Sequence, residues 1–225
     1  MALTTPRGRI AETFYSIQGE GATAGLPAIF VRLQGCTVGC VWCDTKYSWD
    51  PSAGREVDLP ALLEEVTAFP CRRVVITGGE PLEAALFAPL AAALAASAYV
   101  VEVETSGTRP PAAEADAGIQ WNVSLKLSGS GVPEGTRVNP AAIRAFLARG
   151  AWWKFVVSEP GEIGEVLRLA ERFALPRERV LLQPEGLRAE DLAARSPWLV
   201  EACKARGFRF SPRLHILIWG ARRGV

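Results

Sequence analysis

The 225-residue sequence has no uncharged apolar run long enough to cross a bilayer, and its start, MALTTPRGRIAETFYSIQGEG, lacks the apolar core of a secretory signal. These absences predict a cytoplasmic protein without a membrane partner. Nor is there an excess of one charge. Twenty-five basic residues face 24 acidic ones, a net charge of +1, so no global field draws the chain to nucleic acid. Any anion it binds must be met by local groups. Histidine occurs once, at His215, and there is no second Cys-x2-Cys pair. A closed structural zinc site takes four protein ligands, so a zinc knuckle would have to be completed from elsewhere in the chain. Internal repeats and low-complexity tracts are also missing.

What is present suits a folded domain: 49% of the residues are apolar and 22% charged. The length is enough for one good core and short for two, which predicts a single domain over residues 1–225. The cysteines number five, an odd count, and Cys36, Cys40 and Cys43 fall within eight positions. That distribution suits metal ligation rather than a disulfide framework. Cys71 precedes the apolar run VVIT and Cys203 lies in a helical pattern, so both read as small packed hydrophobes.

Short β-branched runs alternate with longer alanine- and leucine-rich segments, the pattern of βα units around a mostly parallel sheet. Strands are expected at Ala28 to Leu33, Arg73 to Thr77, Tyr99 to Glu104, Trp121 to Leu125, Trp153 to Val157, Val180 to Gln183 and Leu214 to Ile218. Helices are expected at Leu59 to Ala68, Leu82 to Ala96, Ala141 to Arg149, Ile163 to Phe173 and Ala189 to Lys204. Ligands of such sheets gather beyond the carboxyl ends of the strands. The loops there read GCTVGCVWCDT, GGEP, TSGT, KLSGSG and QPEG, which predicts one shared cavity.

The spacing Cys-x3-Cys-x2-Cys is the informative feature, with Gly35 and Gly39 letting the loop turn around a bulky group. Three thiolates on a 4Fe-4S cluster leave one iron open to a small molecule. After the apolar run VVIT, Gly78 and Gly79 expose backbone without side-chain obstruction. Glu80 adds a carboxylate suited to an ammonium group, and Pro81 fits a helix start. Arg32 ends the run AIFVRL, where a fixed guanidinium can pair with a carboxylate in bidentate fashion or with a surface acid.

The cysteine loop, the aromatic Trp42 before its third thiol, and GGEP together resemble the radical S-adenosylmethionine (SAM) superfamily. ETFYSIQGEG, GLPAIFVRLQGC, CDTKYSWD, VETSGT, WKFVV, LLQPEG and SPRLHILIWG extend the match over nearly the full length. Within the superfamily the chain is similar to the 7-carboxy-7-deazaguanine synthase family. The resemblance implies a partial, open (β/α) barrel and a lyase that converts 6-carboxy-5,6,7,8-tetrahydropterin to 7-carboxy-7-deazaguanine with loss of ammonia, a step toward queuosine. It implies that SAM is split reductively at the open iron and that the 5′-deoxyadenosyl radical takes a hydrogen from substrate C6.

Carried over residue by residue, the match gives Cys36, Cys40 and Cys43 to the cluster and Thr45 to a magnesium ion. Ile17, Gln18, Gly19, Glu20, Arg32, Thr77, His215 and Val225 fall to the pterin. Trp42, Cys43, Asp44, Gly78, Gly79, Glu80, Glu104, Thr105, Ser124, Lys126 and Gln183 fall to SAM. The chain departs from the family pattern at Ser124-Leu125-Lys126, where a proline is common in the middle. Family likeness also implies a homodimer and an external electron donor such as a flavodoxin or ferredoxin. Two other readings stay open: a glycyl-radical activase, which shares the cluster and SAM motifs, and a non-catalytic iron-sulfur or zinc module.

Overall fold

The computed structural model describes residues 5–111 and 118–225. Its frame is one sheet of nine strands in the order β3-β1-β2-β4-β5-β6-β7-β8-β9. Strand β1 (Arg7–Ile17) runs antiparallel to both β2 (Pro27–Leu33) and β3 (Arg55–Asp58). From β2 onward every neighbour is parallel: β4 (Arg73–Gly78), β5 (Val100–Thr105), β6 (Gln120–Leu125), β7 (Trp152–Val157), β8 (Val180–Pro184) and β9 (Arg209–Phe210). The sheet does not close, because β3 and β9 remain its two margins. This is the expected open, mostly parallel architecture.

The crossovers carry helices α1 (Leu59–Thr67), α2 (Phe87–Ala96), α3 (Glu134–Arg137), α4 (Pro140–Ala148), α5 (Ile163–Arg172) and α6 (Ala189–Arg206), and α7 (Leu214–Trp219) comes after β9. Local chemistry starts them. Asp58 accepts from the Ala61 amide at the head of α1, and Asn139 accepts from Ala141 and Ala142 ahead of α4. Each of these two helices also has a proline in its first turn, where the missing N–H costs nothing. Gly207 ends α6 in the left-handed conformation. Among the described residues, no helix is long and apolar enough to cross a membrane.

The core lies on the helix side of the sheet. Val74 and Ile76, Val101 and Val103, Trp121 and Val123, and Trp153 and Phe155 all point there and are buried. Their alternates, Thr77, Glu102, Glu104, Asn122, Ser124 and Lys154, face the other way. Cys203 is buried in that core and Cys71 packs against it, as expected of small hydrophobes.

Three expectations change. The run at Leu214 to Ile218 is helix α7, not a strand; only Ile216 is buried, and the Leu214 amide donates to the Gly19 carbonyl at 2.9 Å. The true last strand is the two-residue β9, too short to show a period. The helix expected from Leu82 begins only at Phe87, because Pro81–Glu83 form a separate 3-10 turn whose geometry Glu80 fixes. Strands β1 and β3 are additions to the expected set: RGRIAETFYSI mixes polar and apolar residues without clean alternation, and REVD is short and mostly charged.

Candidate active site

A cavity of about 250 Å³ opens on the concave face at the carboxyl ends of the parallel strands. Its lining contains all the expected site residues except Glu80. They form three groups.

The first is the thiol loop after β2. Cys36, Cys40 and Cys43 all line the cavity, packed with Val38, Trp42 and Val132. Gly35 and Gly39 adopt φ of +105° and +74°, which a side chain would strain. Cys43 Sγ accepts from Trp49 Nε1 at 3.3 Å and from the Thr45 amide at 3.4 Å. Burial raises the Cys36 and Cys40 thiols above their ordinary range, and at Cys40 the nearby Lys126 partly opposes it. Lys126 stands 5.5 Å over the Trp42 ring and donates to Ser124 Oγ at 3.0 Å, so the strand-β6 loop reaches the thiol loop despite Leu125 in place of proline.

The second group is the turn after β4. Gly79 has no room for a side chain: a Cβ there would fall 2.2 Å from the Gly35 carbonyl oxygen and 2.6 Å from Cys36 Cβ. The Gly79 amide donates to Leu33 and the Glu80 amide to Gly35, at 3.1 and 2.8 Å. Turn and thiol loop are therefore one packed unit. The Glu80 carboxylate departs from expectation. It is 1% exposed, and it accepts from Thr105 Oγ1 at 2.6 Å and from the Ser106 amide at 2.7 Å, as well as from the Ser106 hydroxyl. With the Leu82 amide also bound, it braces two loops and leaves the cavity wall to the backbone of Gly78 and Gly79.

The third group surrounds the turn after β1. Gln18 Nε2 donates to Glu104 Oε1 and Thr77 Oγ1 to Glu104 Oε2, each at 3.0 Å. Glu104, expected beside SAM, thus belongs with Gln18 and Thr77, because its place on β5 aims it at the neighbouring strand. Glu20 is gripped by two cations, Lys154 and Arg213, the latter through Nε at 2.9 Å, and His215 Nε2 stands 3.8 Å away. Burial alone would raise the Glu20 carboxyl, but the charges of Lys154 and Arg213 outweigh it and hold the group well below the usual range. Burial lowers His215, which stays neutral at pH 7. Gln183 Oε1 accepts from the Ser211 hydroxyl at 3.1 Å.

Several lining residues escape a reading of the sequence. Arg213 joins Glu20 to Asp44 and also donates to the Gly186 carbonyl, so one buried guanidinium ties four segments together. Lys154 interrupts the apolar strand WKFVV, an ionisable residue where none is needed for packing, which is the signal that could have found it. Glu12 and Tyr47 line the cavity beside Arg32.

An open, mostly parallel sheet with three thiols and a glycine turn at its strand ends is the architecture of a radical SAM enzyme, and the Radical SAM superfamily model matches residues 30–127. Similar proteins are more specific. The chain is 43% identical to 7-carboxy-7-deazaguanine synthase of Pyrobaculum aerophilum, over 98% of each chain. It is 35% identical to that of Hyperthermus butylicus, over 93% of this chain and 92% of the other. The crystal structure of QueE from Escherichia coli superposes with a TM-score of 0.73 at 29% identity, covering 93% of this chain and 95% of that one. The chain belongs to the 7-carboxy-7-deazaguanine synthase family.

Membership brings a 4Fe-4S cluster and SAM, and the residues fit both. Among the described residues, no three His, Cys, Asp or Glu side chains are close enough to share one metal ion. A cluster, whose irons each take one thiolate, does not require that. Three thiols share the cavity and the other two cysteines belong to the core, so a cluster held there would have one iron without a protein thiolate. The exposed backbone of Gly78 and Gly79 lies beside the thiol loop. The glycyl-radical activase and the non-catalytic module are set aside by the family.

Proposed function

We propose that this chain converts 6-carboxy-5,6,7,8-tetrahydropterin to 7-carboxy-7-deazaguanine and ammonia. The observation that carries this reading is the meeting, in one cavity, of the three thiols with Arg32, Gln18 and the cation-held Glu20. Cys36, Cys40 and Cys43 would hold the cluster, which together with SAM would supply the radical chemistry that the ring contraction needs.

The chain's own residues bind, orient and shield. Arg32 takes the substrate carboxylate. Gln18 and Gly19 meet the donor and acceptor edge of the heterocycle, and Glu20, kept anionic by Lys154 and Arg213, accepts from its guanidine-like side. Thr77, neutral His215 and Val225 border the same ligand. Thr45 would offer a hard oxygen to a magnesium ion, which would supply charge stabilisation for the substrate carboxylate. Trp42, Asp44, Gly78, Gly79, Thr105, Ser124, Lys126 and Gln183 surround SAM, while Glu80 acts through the loops it braces and Glu104 through Gln18 and Thr77. The enzyme acts as a single catalytic domain, pairs as a homodimer, works in the cytoplasm and draws its electron from a small reductant such as a flavodoxin or ferredoxin.

The test is anaerobic incubation of iron-reconstituted protein with SAM, a strong reductant, magnesium and the carboxytetrahydropterin. Formation of the deazapurine with release of ammonia supports the reading. Accumulation of 5′-deoxyadenosine without any deazapurine, whatever the reductant, rejects the substrate while leaving the superfamily intact.

A further inference from the structure

Arg32 is held from one side. Its Nε donates to Glu12 Oε1 at 2.8 Å, and neither terminal nitrogen has a hydrogen-bond partner among the described residues, although the side chain is only 15% exposed. A guanidinium so enclosed, with two donors turned to a cavity, calls for an anion.

A β-bulge puts Glu12 in reach. Residues two apart on a strand share a face, so Ile10 and Glu12 should point the same way. The pairing of β1 with β2 shifts between them: Ile10 lies opposite Leu33, and Glu12 lies directly opposite Arg32. Ile10 therefore sits in the dry core, while Glu12 lines the cavity. Bulges re-aim side chains in this way beside functional sites.

Two more groups converge on the same carboxylate. The Tyr47 hydroxyl donates to Glu12 Oε1 at 2.6 Å. Arg223 Nε lies 3.5 Å from Oε2, with its guanidinium stacked 3.7 Å over the Tyr47 ring. Strand β1, strand β2, the segment after the thiols and the segment after α7 thus meet on Glu12.

We propose that Glu12 is a positioning residue for the substrate carboxylate: it clasps Arg32 through Nε and turns the two terminal nitrogens into the cavity as a fork. The inference rests on the pterin reading of the cavity. It makes the geometry of Glu12 matter more than its charge, and two conservative variants separate these. Glu12→Asp keeps the charge and loses reach; Glu12→Gln keeps reach and an acceptor oxygen.

The experiment is steady-state kinetics on reconstituted wild type and both variants, with calorimetry of 7-carboxy-7-deazaguanine and of 7-deazaguanine, which lacks the carboxylate. Glu12→Asp is expected to raise KM about tenfold while kcat stays within about threefold, the scale of one misplaced charge-assisted hydrogen bond. Glu12→Gln is expected to bring KM back to within about threefold of wild type, and only the carboxylated ligand should loosen in Glu12→Asp. An unmoved KM in Glu12→Asp, a Glu12→Gln as impaired as Glu12→Asp, or equal loosening of both ligands overturns the positioning role. Wild type that makes no deazapurine overturns the pterin reading and this assignment together, whereas active wild type beside an unaffected Glu12→Asp overturns the assignment alone.

Discussion

The two faces of the parallel strands share a backbone and nothing else. On the helix side, Val101, Val103, Trp121, Val123, Trp153 and Phe155 make a dry core; on the concave side of the same strands stand Glu102, Glu104, Asn122, Ser124 and Lys154. Parallel strands covered on both faces read as unbroken apolar runs. Here VEVET, WNVSL and WKF alternate, because the second face carries polar residues: Glu104, Ser124 and Lys154 line the cavity, while Glu102 and Asn122 are buried and bonded to each other. One set of hydrogen bonds therefore supports both the packing and the chemistry, with the strand period keeping them apart.

If the division is real, damage on one face should leave the other intact. The largest effect is expected for Cys40→Ala: iron content and deazapurine formation are lost together, while the urea midpoint of the iron-free protein barely moves. On the opposite face, Trp121 packs edge-on against Phe146 with ring centroids 5.2 Å apart. Trp121→Ala should lower stability by about 3–5 kcal/mol in urea titration, with iron bound per folded molecule unchanged.

Lys154→Met probes whether the concave face is merely a second core. Were it so, methionine would be harmless. Because Lys154 holds Glu20, the variant should instead lose about tenfold in kcat/KM, while stability falls by no more than about 2 kcal/mol, since Arg213 still partners the carboxylate. A fully active Lys154→Met enzyme would erase the distinction between the faces.

The smallest effect is the pH dependence of stability. The Glu20 carboxyl titrates lower in the folded chain than its ordinary value of 4.5. Its contribution is therefore fully present above about pH 4.5 and lost as pH falls toward its folded value. Urea unfolding measured from pH 7 downward should stay flat in this respect until that window and then decline, and Glu20→Gln should remove part of the decline.

The legibility of the sequence divides along the same line. Central strands such as Arg73–Gly78 and Val180–Pro184 are readable from their β-branched runs, and the thiol loop and glycine turn from their spacing. Strand β1 is not, because its bulge breaks the alternation that would announce it. The run LHILIW imitates a strand, yet the chain has only the two residues Arg209 and Phe210 to pair with β8, and Leu214–Trp219 coil into a helix tied to Gly19. The Arg213–Glu20 pair joins residues 193 positions apart, from the segments after β1 and β9, strands near opposite ends of the sheet, so strand order does not announce it. The inward turn of Glu80 is hidden for a related reason: its partners, Thr105 and Ser106, come from the next strand and its loop.

A sheet that fails to close leaves two rows of unpaired peptide groups, an invitation to edge-to-edge association. This molecule declines it differently at each margin. Strand β3 spells Arg-Glu-Val-Asp, three of its four residues charged, and β9 is two residues long with Pro212 soon after it. Neither offers a neighbouring molecule a long apolar template, so the opening the cavity needs need not make the protein prone to fibrils.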